Sequence, residues 1–345
     1  CHYLIPDIVK SGCAAWSQGS RSVGNDLRLE HETALIDAAT GLSYLKSCGF
    51  KRIVLLGNSG GASLFAFYIQ QSLLEPSARI ERSPGGRPTG LDKTTMPHVD
   101  GFVLVAPHPG QGALLLGCID PSVANEQDPL SLIPELDPLS RGTARYRPEF
   151  LERYRAAQKE RVASLDRVAR ELIAERLQAR KILKQKVSDS RLAFYTPIMS
   201  VWRTDADPRC FDLSQDPSDR KPGTLWGTNP LASNYGAVGF ARNCTPEAWL
   251  STWSGLSTNA AFAKTAGSIP VPSLLIEYTG DVSTFPNVIR GIYGSLGTSL
   301  KQHIRIRGDH HGRALSKDEE PGRYIAGRAI QRWLEDQSFA RPAKH

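Results

Sequence analysis

Ile53-Val54-Leu55-Leu56-Gly57-Asn58-Ser59-Gly60-Gly61-Ala62-Ser63-Leu64-Phe65-Ala66 is the stretch on which the reading of this chain turns. The four leading apolar residues suit a short buried strand, and the run after Gly61 suits a helix. Between them stands G-x-S-x-G, so the order is strand, tight turn, helix. This is the setting of a nucleophile elbow, where a serine is lifted clear of a sheet on a strained turn. Gly57 and Gly61 are expected to supply the room, because side chains there would meet neighbouring backbone. The helix that starts after Ser59 then aims backbone N–H groups and a positive dipole end at a developing oxyanion.

Outward from the elbow, periodicity marks the other elements. Residues 25–48 read as an amphipathic helix capped by Asn25 or Asp26 and ended by Gly49. Residues 75–97, rich in Pro, Gly, Ser and Arg, read as a surface loop. Val99–Ala106, Ser273–Tyr278 and Gln302–Arg307 read as further buried strands, and residues 321–337 as a closing helix. Strands alternating with helices predict an α/β fold with a mostly parallel sheet. Between the second and third of these strands the chain shows no strong strand signal. Residues 147–187 have helical period, with Val162, Leu165, Ala169, Leu172 and Ile173 on one face. Thr245-Pro246 reads as an N-cap and first helical position. The expected organisation is a core of residues 1–129 and 263–345, interrupted by a mainly helical lid over 130–262.

A chain of 345 residues is long enough for one large domain with an insertion. Hydrophobic residues make up 40% and charged residues 22%, ordinary values for a globular protein. No apolar run is long enough to cross a membrane, and no signal-peptide pattern stands at the start. The net charge of +7 gathers between residues 141 and 191 on a solvated helical face, without a nucleic-acid motif beside it. Neither nucleic acid nor membrane is therefore an expected partner. Six cysteines, with no C-x-x-C pair and no histidine at metal spacing, read as reduced thiols of a cytoplasmic protein with no metal. The chain begins with Cys1 instead of Met, so an upstream segment is expected to have been processed away or to lie outside it.

Ser59 needs a base, and the base needs an acid to orient it. In a parallel sheet such groups gather at the C-terminal ends of strands. Asp281 follows the strand 273–278, and His310 and His311 follow the next. Thr-Gly-Asp is also ordinary turn chemistry, so Asp281 has a purely structural reading as well. His108 follows the strand 99–106 between two prolines, where it could face the pocket, and a structural role is the expected one. Residues 21–26 read as loop and cap. The tryptophans and tyrosines of the insertion are lid core in the first instance, with pocket contact as the alternative.

The elbow and the order Ser, Asp, His resemble the α/β-hydrolase superfamily, over most of residues 14–120 and 265–337. The resemblance implies that His310 is the base, through Gly308-Asp309-His310, with His311 where an aromatic residue often follows. Counting G-x-x-H from Gly308 selects His311 instead. It implies hydrolysis of a carboxylic ester, lactone or related acyl compound with no metal or organic cofactor needed, and with the Gly60 N–H as one oxyanion donor. Thioester or amide hydrolysis, carbon–carbon cleavage and acyl transfer would use the same triad, and a non-catalytic binding protein on this scaffold is the rival of another class. The expected substrate is a small acyl compound, apolar or aromatic. Similar enzymes carry several strands before the elbow, whereas here only one is expected, near Ala14-Ala15-Trp16. The second oxyanion donor is thus unassigned, and an open sheet edge is expected to be completed by a further segment, a subunit or a second copy.

Overall fold

The computed structural model describes residues 2–22, 26–141, 145–184 and 191–340. Its centre is a four-stranded parallel sheet of β1 (Val54–Asn58), β2 (Gly101–Val105), β7 (Ser273–Tyr278) and β8 (Lys301–Ile306), in the order β1-β2-β7-β8. Register runs from Val54 opposite Gly101 and Phe102 opposite Ser273 to Tyr278 opposite Ile306. Parallel strands buried on both faces need continuous apolar sequence, and β2 and β7 are buried at every position. Alternate side chains serve opposite faces. Phe102 and Leu104 join Leu55 and Leu275 under α2 (His31–Ser47), α3 (Gly60–Leu73) and α10 (Pro286–Ser295). Val103 and Val105 join Leu274, Ile276 and Tyr278 under α1 (Ile5–Lys10) and α11 (Gly322–Asp336).

The nucleophile strand β1 lies at the edge of this sheet, and among the described residues no strand pairs with its outer side. The expected strand at Ala14–Trp16 is absent. Residues 13–20 are irregular, running from Cys13, beside the Phe339 carbonyl, to Gln18, whose amide donates to the Asp37 carbonyl at 2.6 Å. Three apolar residues followed by Ser17 and Gln18 cannot fill a buried strand, and Trp16 instead rests half exposed against Tyr44. The helix expected from residue 25 starts only at His31, after a single 3₁₀ turn at Asp26–Arg28, so neither proposed cap occupies its N-cap position, which Glu30 holds. Asn25 lies outside the described residues.

Between β2 and β7 the chain leaves the sheet. It passes through α4 (Gln111–Cys118), a short hairpin of β3 (Val123–Asn125) and β4 (Asp128–Leu132), and the 37-residue α5 (Pro148–Lys184). It returns through α6 (Arg191–Phe194), α7 (Pro230–Tyr235), a two-residue ribbon of β5 (Met199–Ser200) with β6 (Asn243–Cys244), α8 (Pro246–Ala248) and α9 (Phe262–Thr265). At 1.5 Å per residue α5 is about 55 Å long, and it survives as a helix by burying one stripe. Val162, Leu165, Ala169 and Ile173 pack with Trp249, Trp253, Leu115 and Ile119 into a second core. Arg203 lies buried in this region, paired with Asp120 and Asp137. A five-residue π-helix at Trp249–Trp253 follows α8. It ties the insertion to the start of α2: Ser251 accepts the His31 N–H at 2.9 Å and donates to Glu32 Oε2 at 2.6 Å, and Thr252 donates to the Leu29 carbonyl. Among the described residues no helix is long and apolar enough to cross a membrane.

Candidate active site

Ser59 holds φ 54° and ψ −122°, a conformation that a side chain rarely adopts and that costs on the order of 1–3 kcal/mol. Its neighbours hold it there. The Ser59 N–H donates to the Val105 carbonyl at 2.9 Å, and the Asn58 side-chain amide donates to the same oxygen at 3.0 Å. Gly57 is required, because a Cβ there would lie 2.4 Å from the Ala62 Cα. Gly61 is not: a Cβ there meets nothing within 4 Å, since it points out of the helix start into open space. The tight position is Gly60, whose added Cβ would stand 3.0 Å from both His108 Nε2 and Gln111 Oε1.

Two loops at the ends of β7 and β8 bring the acid and the base together. The Gly280 N–H donates to the Gly308 carbonyl at 2.8 Å, and a Cβ on Gly280 would lie 2.8 Å from that oxygen. Asp309 shapes the second loop by accepting the His311 and Arg313 N–H groups at 2.9 and 2.8 Å. His310 Nδ1 then lies 2.8 Å from Asp281 Oδ2, and its Nε2 lies 3.1 Å from Ser59 Oγ. His311 is exposed, its ring edge-on to that of His310 at 5.1 Å, and it takes no part in this line of contacts. Ser283, which the sequence reading missed, completes the arrangement. Its hydroxyl donates to Asp281 Oδ1 at 2.8 Å and stands 2.9 Å from His310 Nδ1, while its N–H donates to Asp281 Oδ1 at 2.7 Å. The signal was present in the Asp-x-Ser spacing, which is that of an Asx turn.

The electrostatics follow from burial and pairing. Burial opposes the charged form of His310, but the Asp281 charge and hydrogen bond outweigh it and raise the pKa above 6.5. For Asp281 burial likewise disfavours the ion, and His310 with the Ser283 donors reverses this, holding the carboxyl below its ordinary value. His108 is fully enclosed, and burial above all, with His310 nearby, brings its pKa down to about 3. His31 is held down to about 4 by burial.

A cavity of about 320 Å³ opens over Ser59. Leu29, Leu64, Leu114, Leu225 and Phe240 give it apolar walls; His31, His108, Gln111 and Ser283 are its polar members. Phe240 is the insertion aromatic that reaches the cavity, with Trp226 edge-on behind it at 5.6 Å. Trp249 and Trp253 are insertion core, Tyr235 packs on Arg203, and Tyr195 is exposed. Among the described residues no group of three His, Cys, Asp or Glu side chains is placed to hold a metal ion, and the five described cysteines are free thiols.

A parallel sheet that carries an elbow serine, a carboxylate loop and a histidine loop at the ends of successive strands is the α/β-hydrolase fold. No protein-family model and no curated protein sequence matches the chain. Among solved structures it is similar to a monoacylglycerol lipase of Paleococcus ferrophilus at 17% identity, covering 97% of this chain and 88% of that one with a TM-score of 0.41. It is similar to DcsB, solved with a substrate analogue, at 13% identity over 98% and 87% of the two chains, TM-score 0.45. A third similarity is to DBJA, at 13% identity over 97% and 86%, TM-score 0.37. The fold assignment rests on the sheet and the loops, not on these likenesses.

Proposed function

We propose that the protein is a serine hydrolase of a carboxylic ester, lactone or related acyl compound, acting through an acyl-enzyme. The observation that carries this reading is the continuous line Asp281 Oδ2, His310, Ser59 Oγ, with contacts of 2.8 and 3.1 Å beneath the cavity. Ser59 Oγ attacks the carbonyl carbon while His310 Nε2 takes its proton. The carbonyl electron pair moves to oxygen, where the Gly60 N–H at the start of α3 meets it. His310 then protonates the leaving group, and a water activated by the same nitrogen releases the acid. Asp281 holds the imidazole by Nδ1 and stabilises its charged form, with Ser283 fixing the carboxylate. No metal or organic cofactor enters these steps.

The leucine and phenylalanine walls favour an apolar or aromatic acyl substrate of small size. Residues 130–262 act as a lid in this reading, since Leu225 and Phe240 close one side of the cavity. The test is labelling by a fluorophosphonate, followed by peptide mapping. Ser59 is expected to be the labelled residue, and Ser59→Ala to abolish labelling and ester turnover with little change in thermal stability. A folded parent protein that does not label at Ser59 overturns the reading.

A further inference from the structure

An oxyanion needs two donors, and only the Gly60 N–H has been assigned. Of the cavity's polar members, His108 is a buried side chain that can donate beside the elbow. Building on the hydrolase reading, we propose that the His108 imidazole supplies it, through a proton carried on Nε2. His108 is the buried side chain nearest the place where a Gly60 side chain would begin, with Nε2 3.0 Å from that point.

The tautomer follows from its partners. The Gly110 N–H donates to His108 Nδ1 at 3.3 Å, so Nδ1 is an acceptor and carries no proton. A neutral ring then holds its proton on Nε2, turned towards Gly60 and Gln111. Burial keeps the ring neutral throughout the working pH range, so it donates without exchanging its proton. The Gln111 side chain is the hydrogen-bond partner of this ring at rest; an oxyanion, carrying full charge, is the stronger acceptor.

The backbone that delivers His108 is held firmly. Ala106 has φ 44° and donates its N–H to the Ile276 carbonyl at 2.9 Å. Pro107 and Pro109 fix the dihedrals on either side of the histidine. The Pro109 carbonyl accepts the Phe262 N–H at 3.0 Å, and Gly110 passes so close to Ala260 that a Cβ would lie 2.4 Å from its carbonyl oxygen. A donor held this way needs little reorganisation as charge develops. The electron count of the reaction is unchanged: the carbonyl pair goes to oxygen, the Ser59 proton goes to His310, and the His108 proton stays on Nε2. On collapse the pair returns to the carbonyl and the leaving group takes the proton from His310.

The test compares the parent, His108→Ala and His108→Gln by fluorophosphonate labelling and by turnover of p-nitrophenyl butyrate. In His108→Ala labelling and kcat should each fall on the order of 10²–10³-fold, with KM within about threefold of the parent. His108→Gln, which restores an N–H donor, should recover at least about tenfold of that loss. A folded Ala variant that labels within threefold of the parent overturns the proposal, as does a loss confined to KM. A second measurement needs no variant: in the phosphonylated parent, the His108 Nε2 proton seen by NMR should move downfield from its position in the free protein. An unmoved resonance overturns the proposal. A parent that fails to label at all overturns the hydrolase reading instead, so the two failures are distinct.

Discussion

His310 stands between two opposing pulls, enclosure that favours the neutral ring and Asp281 that favours the charged one, and the second wins. Because the base must be neutral to accept the Ser59 proton, the acylation rate should rise with pH through a midpoint above 6.5. Replacing Asp281 by Asn removes the raising charge, so the midpoint should fall, with a rate loss on the order of 10⁴-fold. The stability sign is opposite. A histidine whose folded pKa is raised contributes stability that is fully present below its unfolded value of about 6.5 and is lost as pH rises through the folded value. Rate–pH profiles of the two proteins check the first statement; an unshifted midpoint would assign the pull to another group. At this scale Ser59, Asp281 and His310 were legible because motif and strand-end position select them. Choosing His310 over His311 needed the resemblance. Ser283 was less so, since it lies in a turn and only the folded loop shows what it faces; the place of His108 at a strand end offered the cavity as an alternative, and the folded loop puts it there.

The elbow and α3 behave as one element, and the glycines within it carry unequal burdens. Gly57→Ala would press a methyl group against the Ala62 backbone, and an overpacked contact of this kind costs roughly 1–3 kcal/mol. Gly61→Ala adds a methyl to open space at a helical position outside the left-handed region, so it should keep the fold and gain up to about 1 kcal/mol. Thermal unfolding of the two variants gives the comparison; a stabilised Gly57→Ala protein would contradict the packing of the turn. Long periodic elements were readable in advance: residues 147–187 became Pro148–Lys184, with 185–187 outside the described residues, and 321–337 became Gly322–Asp336. The π-helix at Trp249–Trp253 was not, because Thr245-Pro246 announces where a helix starts and nothing local announces that its hydrogen bonds will widen. The short α1, α4 and β3–β4 escaped for a related reason: their stability comes from what they touch, not from a pattern long enough to show.

Across the whole molecule, the parallel sheet and the position of the inserted helices were foreseeable, while the way the insertion grips the sheet domain was not. That grip runs through Ser251 and Thr252 to Leu29, His31 and Glu32, residues more than two hundred positions away in the chain. The sheet itself is lopsided. Ser59 hangs from β2 by its own N–H, and alternation along β1 turns the amides of Leu55 and Gly57 the same way. Those of Val54, Leu56 and Asn58 face the unpaired side. In deuterated buffer the strand should therefore keep two clocks, with Leu55, Gly57 and Ser59 slow and the three alternate amides fast by at least about tenfold. Uniformly slow exchange would mean that something in solution pairs with the free side. If the two rates do separate, the strained serine draws its rigidity from a single flank, and weakening the Val105 carbonyl contact would soften the nucleophile before it unfolds the protein.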